Sequence, residues 1–109
     1  MSYTPDAADV IWIDFDPQAG HEQAKCCPAV VLTPKAYNEK TSLLICVPLT
    51  TKVKNYPFEV AISGEKDGVA LADHVKSLDW RARNAKYKGK ITQEELGKIQ
   101  ERLGLFLGI

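Results

Sequence analysis

Residues 20–34 read GHEQAKCCPAVVLTP, a polar run that passes directly into an unbroken apolar one set between two prolines. The apolar part, residues 29–32, is too short for a helix and rich in valine, so it reads as a central strand that Pro34 stops. A loop anchored on a buried strand holds working groups in solvent over a fixed backbone. The groups offered here are His21, Glu22, Gln23, Lys25, Cys26 and Cys27.

On the N-terminal side, residues 9–16 (DVIWIDFD) alternate Ile11, Ile13 and Phe15 with Val10, Trp12 and Asp14, the pattern of a strand with one well-buried face. Pro17 and Gly20 end it. On the C-terminal side, residues 35–41 are polar with room for one helical turn, and residues 43–47 form another buried strand that stops near Pro48. Thr50 and Thr51 begin a second loop, TTKVKNYP, before Phe58, Val60 and Ile62 alternate with polar and small residues. Residues 64–68 turn the chain as a hairpin, and residues 69–75 and 86–91 are further strands, with SLDWRARNA between them open to a helical turn. Thr92 and Glu95 make a capping box ahead of Leu96, Ile99, Leu103, Phe106 and Leu107, which recur at helical spacing. At least five short strands, one closing amphipathic helix and no strand–helix alternation predict a mainly β domain over residues 1–109, a compact, mostly antiparallel barrel.

The 109 residues, 45% hydrophobic and 26% charged, suffice for one core and not for two. A domain of this size buries a modest share of its surface, so self-association is an expected source of stability. No apolar run approaches the ~20 residues of a membrane helix, and the opening MSYTPDAAD lacks the apolar centre of a secretion signal, so a cytoplasmic protein is expected. Three cysteines, two of them adjacent, read as reduced thiols rather than a disulfide framework. His21, Cys26, Cys27 and Cys46 lack the doubled short spacing of a zinc site, and no phosphate-cradling glycine loop is present, so neither metal nor cofactor is expected. The two histidines, His21 and His74, would serve as an acid–base pair only if the fold brought them together, and as isolated surface groups otherwise.

Cations are unevenly placed. Lys76, Arg81, Arg83, Lys86, Lys88 and Lys90 follow one another with only Asp79 opposing them, and Lys25, Lys52 and Lys54 lie in the two loops. Interleaved with Tyr56, Phe58, Trp80 and Tyr87, they suit single-stranded nucleic acid, where cations neutralise phosphates and rings stack on bases. A solvated basic edge or a dock for an acidic protein fits the same composition. Trp12 and Trp80 are expected in the core or at a subunit interface.

In order and in spacing, DVIWIDFDP, EQA followed by PAVVLTP, VPLTT, YPFEV, DGVALADHVKSLDWRAR and the closing helix resemble the MazF/PemK family of toxin ribonucleases over essentially the whole chain. The resemblance implies an SH3-like barrel of the CcdB/PemK type, a homodimer, a small acidic antitoxin of the MazE type as partner, and metal-independent cleavage of single-stranded RNA to a 2′,3′-cyclic phosphate and a 5′-hydroxyl. It also implies the site. Family members carry an arginine just before the PAVVL strand, a threonine after the VP turn and a loop glutamate; Thr50 and Glu22 match two of these, and Cys27 stands where the arginine would be. Catalysis is therefore expected to rest on Cys27, Thr50 and Glu22 and to be weakened or lost through Cys27. The RNA-contacting set is expected to be His21, Gln23, Lys25, Lys52, Lys54, Tyr56, Phe58, Lys76, Arg81 and Arg83. The alternatives are a non-catalytic module that binds RNA or antitoxin on the same barrel, and poisoning of a DNA topoisomerase, since fold alone does not fix function.

Overall fold

The computed structural model describes residues 3–14, 26–64 and 68–109. Along them run β1 (Asp9–Asp14), β2 (Cys26–Val31), α1 (Lys35–Thr41), β3 (Leu43–Thr50), β4 (Glu59–Ile62), β5 (Gly68–Leu71), β6 (Lys76–Asp79), β7 (Lys86–Lys90) and α2 (Gln93–Leu107). The strands form one curled antiparallel sheet in the order β4-β5-β3-β2-β1-β7, with β6 also on β3. It is a half-barrel closed by the C-terminal helix, as the mainly β reading expects.

β3 is the strand on which the rest hangs. One edge pairs first with β6, Leu43↔Asp79 to Cys46↔Lys76, and then with β5, Leu49↔Ala70 and Thr50↔Val69. Its other edge meets β2 from Val31↔Cys46 to Ala29↔Pro48. The strand expected to stop near Pro48 therefore continues through it to Thr50. A proline can sit in extended backbone and removes only one ladder donor, so it does not end a strand whose neighbours supply the remaining pairs.

Alternation along the sheet fills two core layers. Val10, Val30, Val47, Leu49, Val60 and Ile62 meet Leu96 and Ile99 of α2 on one side. Ile11, Ile13, Ala29, Val31, Leu44 and Cys46 meet Leu78 and Trp80 on the other. Fully burying an Ile or Leu is worth roughly 1.5–3 kcal/mol before entropy. β1 is thus buried on both faces at Val10 and Ile11, where its pairing with β7 shifts register, as at a bulge. Trp80 is core, whereas Trp12 is 39% exposed beneath the Lys88 ammonium.

Local signals explain the other departures. Residues 69–75 are not one strand: β5 ends at Leu71, and a turn held by His74 N–H donating to the Leu71 carbonyl (3.0 Å) leads into β6. SLDWRARNA is β6 and a tight turn, not a helix, with Asp79 Oδ1 accepting from the Arg81 and Ala82 amides at 3.1 and 3.0 Å. α1 is two turns rather than one, pinned by buried Asn38, whose amide donates to the Pro5 and Thr33 carbonyls and whose own carbonyl accepts from Trp80 Nε1. At α2 the capping box forms between Thr92 and Glu95, and Glu95 also accepts from the Ser63 amide at 2.7 Å, tying the helix to the end of β4. Among the described residues, no helix is long and apolar enough to cross a membrane.

Candidate functional site

Thr50 closes β3 at the rim of the sheet, and its hydroxyl oxygen accepts the Lys52 amide at 3.1 Å. That bond uses an oxygen lone pair and leaves the hydroxyl proton available for a ligand acceptor. The chain then crosses the cleft and returns through Glu59, whose two oxygens accept the Lys54 and Asn55 amides at 2.8 and 2.9 Å. Asn55 has φ 60°, a left-handed conformation that asparagine tolerates better than most residues. Tyr56 is fastened separately, its hydroxyl donating to Asp73 Oδ1 at 2.8 Å. That hydrogen bond, more than burial, pushes the phenol up to about 12, so Tyr56 stays a neutral donor at physiological pH.

Thr50, Lys52, Lys54, Tyr56, Glu59, Leu71 and His74 line one cleft of about 160 Å³. Two carboxylates, Glu59 and Asp73, are occupied in shaping the loop, while the two lysines give the cleft its positive charge. A hydroxyl donor beside two ammonium groups is an arrangement for a phosphate oxygen.

Cys27 approaches from β2. The β2–β3 pairing runs from Val31↔Cys46 to Ala29↔Pro48, and Cys27 lies two residues beyond that last pair on β2, as Thr50 does on β3. On its other edge Cys27 pairs with Ile13 of β1. The side chain is half-buried.

The structure therefore brings together Thr50, Lys52, Lys54 and Tyr56 of the expected set, with Cys27 in line across the sheet. Phe58 turns away, packing against the core and edge-on to Phe106. Arg81 stacks on Trp80 at 4.4 Å and donates to the Ser42 hydroxyl, which places it at the opposite end of β3 from Thr50, about 23 Å away at ~3.3 Å per residue. Arg83 donates to the Asp14 carbonyl at 2.9 Å, and Lys76 is exposed beside Cys46, between the two ends. Lys90 is bound to buried Asp9 at 2.6 Å, a contact that raises its pKa. The run from Lys76 to Lys90 is thus spread round the sheet, with several cations built into the fold. His21, Glu22, Gln23 and Lys25 lie outside the described residues. Among the described residues, no group of three or more His, Cys, Asp or Glu side chains is placed to hold a metal ion.

Two members of the cleft, Glu59 and Leu71, were not singled out from the sequence, and His74 was weighed only as an acid–base partner of His21. Glu59 looked like the polar half of an alternating strand, and His74 fell within a stretch read as continuous strand. The available signal was the Ala72–Asp73 pair, a small residue and a turn-former just before the histidine.

The chain matches, over residues 6–107, a family model described as PemK-like, MazF-like toxin of type II toxin-antitoxin system. It is 56% identical over 107 residues to the endoribonuclease toxin MazF of Escherichia coli K12, covering 97% of this chain and 96% of that one. It is 31% identical to the endoribonuclease PemK of Escherichia coli over 89% of this chain and 78% of that one. Among solved structures, MazF from Deinococcus radiodurans superposes with a TM-score of 0.88 at 45% identity, covering 99% of this chain and all of that one. A MazE-MazF structure from the same organism gives 0.86 at 39% identity, covering 99% and 100%.

Proposed function

The chain belongs to the family of PemK-like, MazF-like toxins of type II toxin–antitoxin systems, and on that footing we propose that it cuts single-stranded RNA in the cleft at Thr50. The activity is that of an endoribonuclease. The observation that carries this reading is the meeting of the Thr50 hydroxyl with Lys52 and Lys54 in one cleft at the end of β3.

The reaction is transfer of the scissile phosphate to its neighbouring ribose 2′-hydroxyl. It needs a base for that hydroxyl, donors for the charge that grows on the phosphate and a proton for the departing 5′-oxygen. Thr50 and the two lysines supply donors and charge without a metal, leaving a 2′,3′-cyclic phosphate and a 5′-hydroxyl. At the position where the family resemblance calls for arginine, Cys27 offers a short, weak donor in place of a planar cation, so turnover is weakened. Glu22, by the same resemblance, completes the site from the loop before β2.

The partner is an antitoxin, a relative's structure being one of MazE-MazF, and the exposed cations Lys52, Lys54 and Lys76 attract an acidic segment of it. Homodimer formation is supported by apolar side chains left in solvent on α2 and after it, Leu105, Phe106, Leu107 and Ile109. The protein acts in the cytoplasm, where its RNA substrate is. Cys27 favours one second reading, a binding module with no turnover.

Incubating the protein with a long single-stranded RNA in chelator and mapping 5′-hydroxyl ends separates the two. Discrete chelator-resistant cuts are expected. Retardation of the RNA in a gel with no cut ends, even with enzyme in large excess, would replace the ribonuclease reading with the binding one.

A further inference from the structure

The His74 side chain stands in the Thr50 cleft with no part in holding the turn: it is 53% exposed, and the bond to the Leu71 carbonyl is made by the backbone N–H, which any residue but proline would supply. We propose that His74 is a catalytic residue of this chain, the proton acceptor for the attacking ribose 2′-hydroxyl. The proposal rests on the ribonuclease reading of the cleft and names a base among the described residues, to none of which that reading gave the role.

The other groups of the cleft are unsuited to the task. Lys52 and Lys54 are donors only. Glu59 accepts two backbone amides, one on each oxygen. Tyr56 is held as a neutral donor to Asp73, its phenol pushed up to about 12. Thr50 accepts the Lys52 amide and has a proton to give, not one to take. An imidazole is the side chain that accepts a proton and returns it near neutrality. Asp73 lies 3.9 Å from His74 Nε2 and sets negative charge beside a ring that becomes cationic on accepting a proton. With Nε2 on the side of Asp73, Nδ1 is the nitrogen left for the substrate. The charged and titratable groups facing His74 are Asp73 from its own turn, Lys52, Lys54 and Tyr56 from the loop after β3, and Glu59 from β4, with Lys76 two residues further along the chain at the start of β6.

In the step itself, Nδ1 takes the 2′-hydroxyl proton as the 2′-oxygen–phosphorus bond forms. The phosphorus–5′-oxygen bond breaks with its electron pair on the 5′-oxygen, which takes a proton from water. The hydroxide so formed recovers the proton from the imidazolium, and the ring is neutral again.

The test is single-turnover cleavage of a long single-stranded RNA in chelator from pH 5 to pH 9, for the chain and for His74→Gln, each also on a Cys27→Arg background to raise a slow rate. Affinity for the same RNA is measured in parallel. His74→Gln is expected to lower the rate by ~10² or more, to abolish the fall in rate on the acid side, and to leave affinity within about twofold. Free imidazole is expected to restore part of the rate to His74→Gly. Rates and acid limbs that match with and without His74 overturn the assignment. So does a loss of rate that follows a loss of affinity with the pH profile unchanged, which would make His74 a binding residue. Absence of cleavage from all the proteins, with RNA still bound, would instead overturn the ribonuclease reading and this assignment with it.

Discussion

Cys46 and Thr50 lie four positions apart on one strand and have opposite fates. Burial pushes the Cys46 thiol up to about 12, the nearby Lys76 and Arg83 only partly countering it. We expect native protein at pH 8 to leave Cys46 unmodified by iodoacetamide, and peptide mass spectrometry to find it alkylated only after unfolding. Alkylation of Cys46 at the rate of an exposed thiol would contradict its place in the core. The raised value also sets a sign: above about pH 8.5 the unfolded thiol releases a proton that the fold retains, so stability falls as pH rises from there toward 12. Tyr56 acts in the same direction, its stabilising bond present below the ordinary phenol range and lost as pH rises through about 12. Thr50 was legible in the sequence because it follows the VPLTT pattern. His74 was not, because a histidine announces chemistry only when its neighbours in space are known, and the turn after β5 that carries it into the cleft interrupts a stretch that reads as strand.

The loop from Thr51 to Phe58 owes its course to two carboxylates, Glu59 at the start of β4 and Asp73 in the turn after β5. Glu59→Ala removes the acceptors of the Lys54 and Asn55 amides, and we expect those amides to exchange faster with solvent and RNA affinity to fall about tenfold, roughly the 1.4 kcal/mol of one or two charged hydrogen bonds. Unchanged exchange at both amides would show that Glu59 does not shape the loop. α2 was read correctly because two independent signals agree, the capping box and the 3.6-residue spacing. Thr92→Ala is expected to cost ~1 kcal/mol in denaturant unfolding. For Glu95, burial pushes the pKa up, but the bonds from Ser63 and Thr92 more than offset it, and the net shift is downward. Its contribution is then present above the usual carboxylate range and lost as pH falls through its lowered folded value. Glu95→Gln keeps an acceptor at that position and should flatten this acid dependence. The strand ends were less legible. Pro48 looked like a stop because the rule that proline ends strands concerns one donor, while the pairing of β3 with β2, β5 and β6 is set by residues remote in sequence.

At the scale of the whole molecule, the apolar end of α2, with Ile109 93% exposed, calls for a covering surface. Light scattering at micromolar concentration should give twice the chain mass, and a monomer would remove the proposed homodimer. An acidic antitoxin peptide should bind more weakly as salt rises and should compete with RNA for the cations of the Thr50 cleft. Binding that is insensitive to salt would place the peptide elsewhere. A mainly β domain with one closing helix could be read from periodicity. The site could not be read in full, because Cys27, Thr50 and His74 lie on separate segments, and only the β2–β3 register and the turn after β5 bring those segments to one end of the sheet. Whether that end is the catalytic centre is tested most directly by single-turnover RNA cleavage, in chelator, by the chain, by Cys27→Arg and by Cys27→Arg with Thr50→Ala. Losing one preorganised donor typically costs ~10²–10³ in rate, so Cys27→Arg should cleave at least about a hundredfold faster than the chain, and Thr50→Ala should take that gain away. Equal rates for the chain and Cys27→Arg, or a Cys27→Arg rate indifferent to Thr50, would contradict the account.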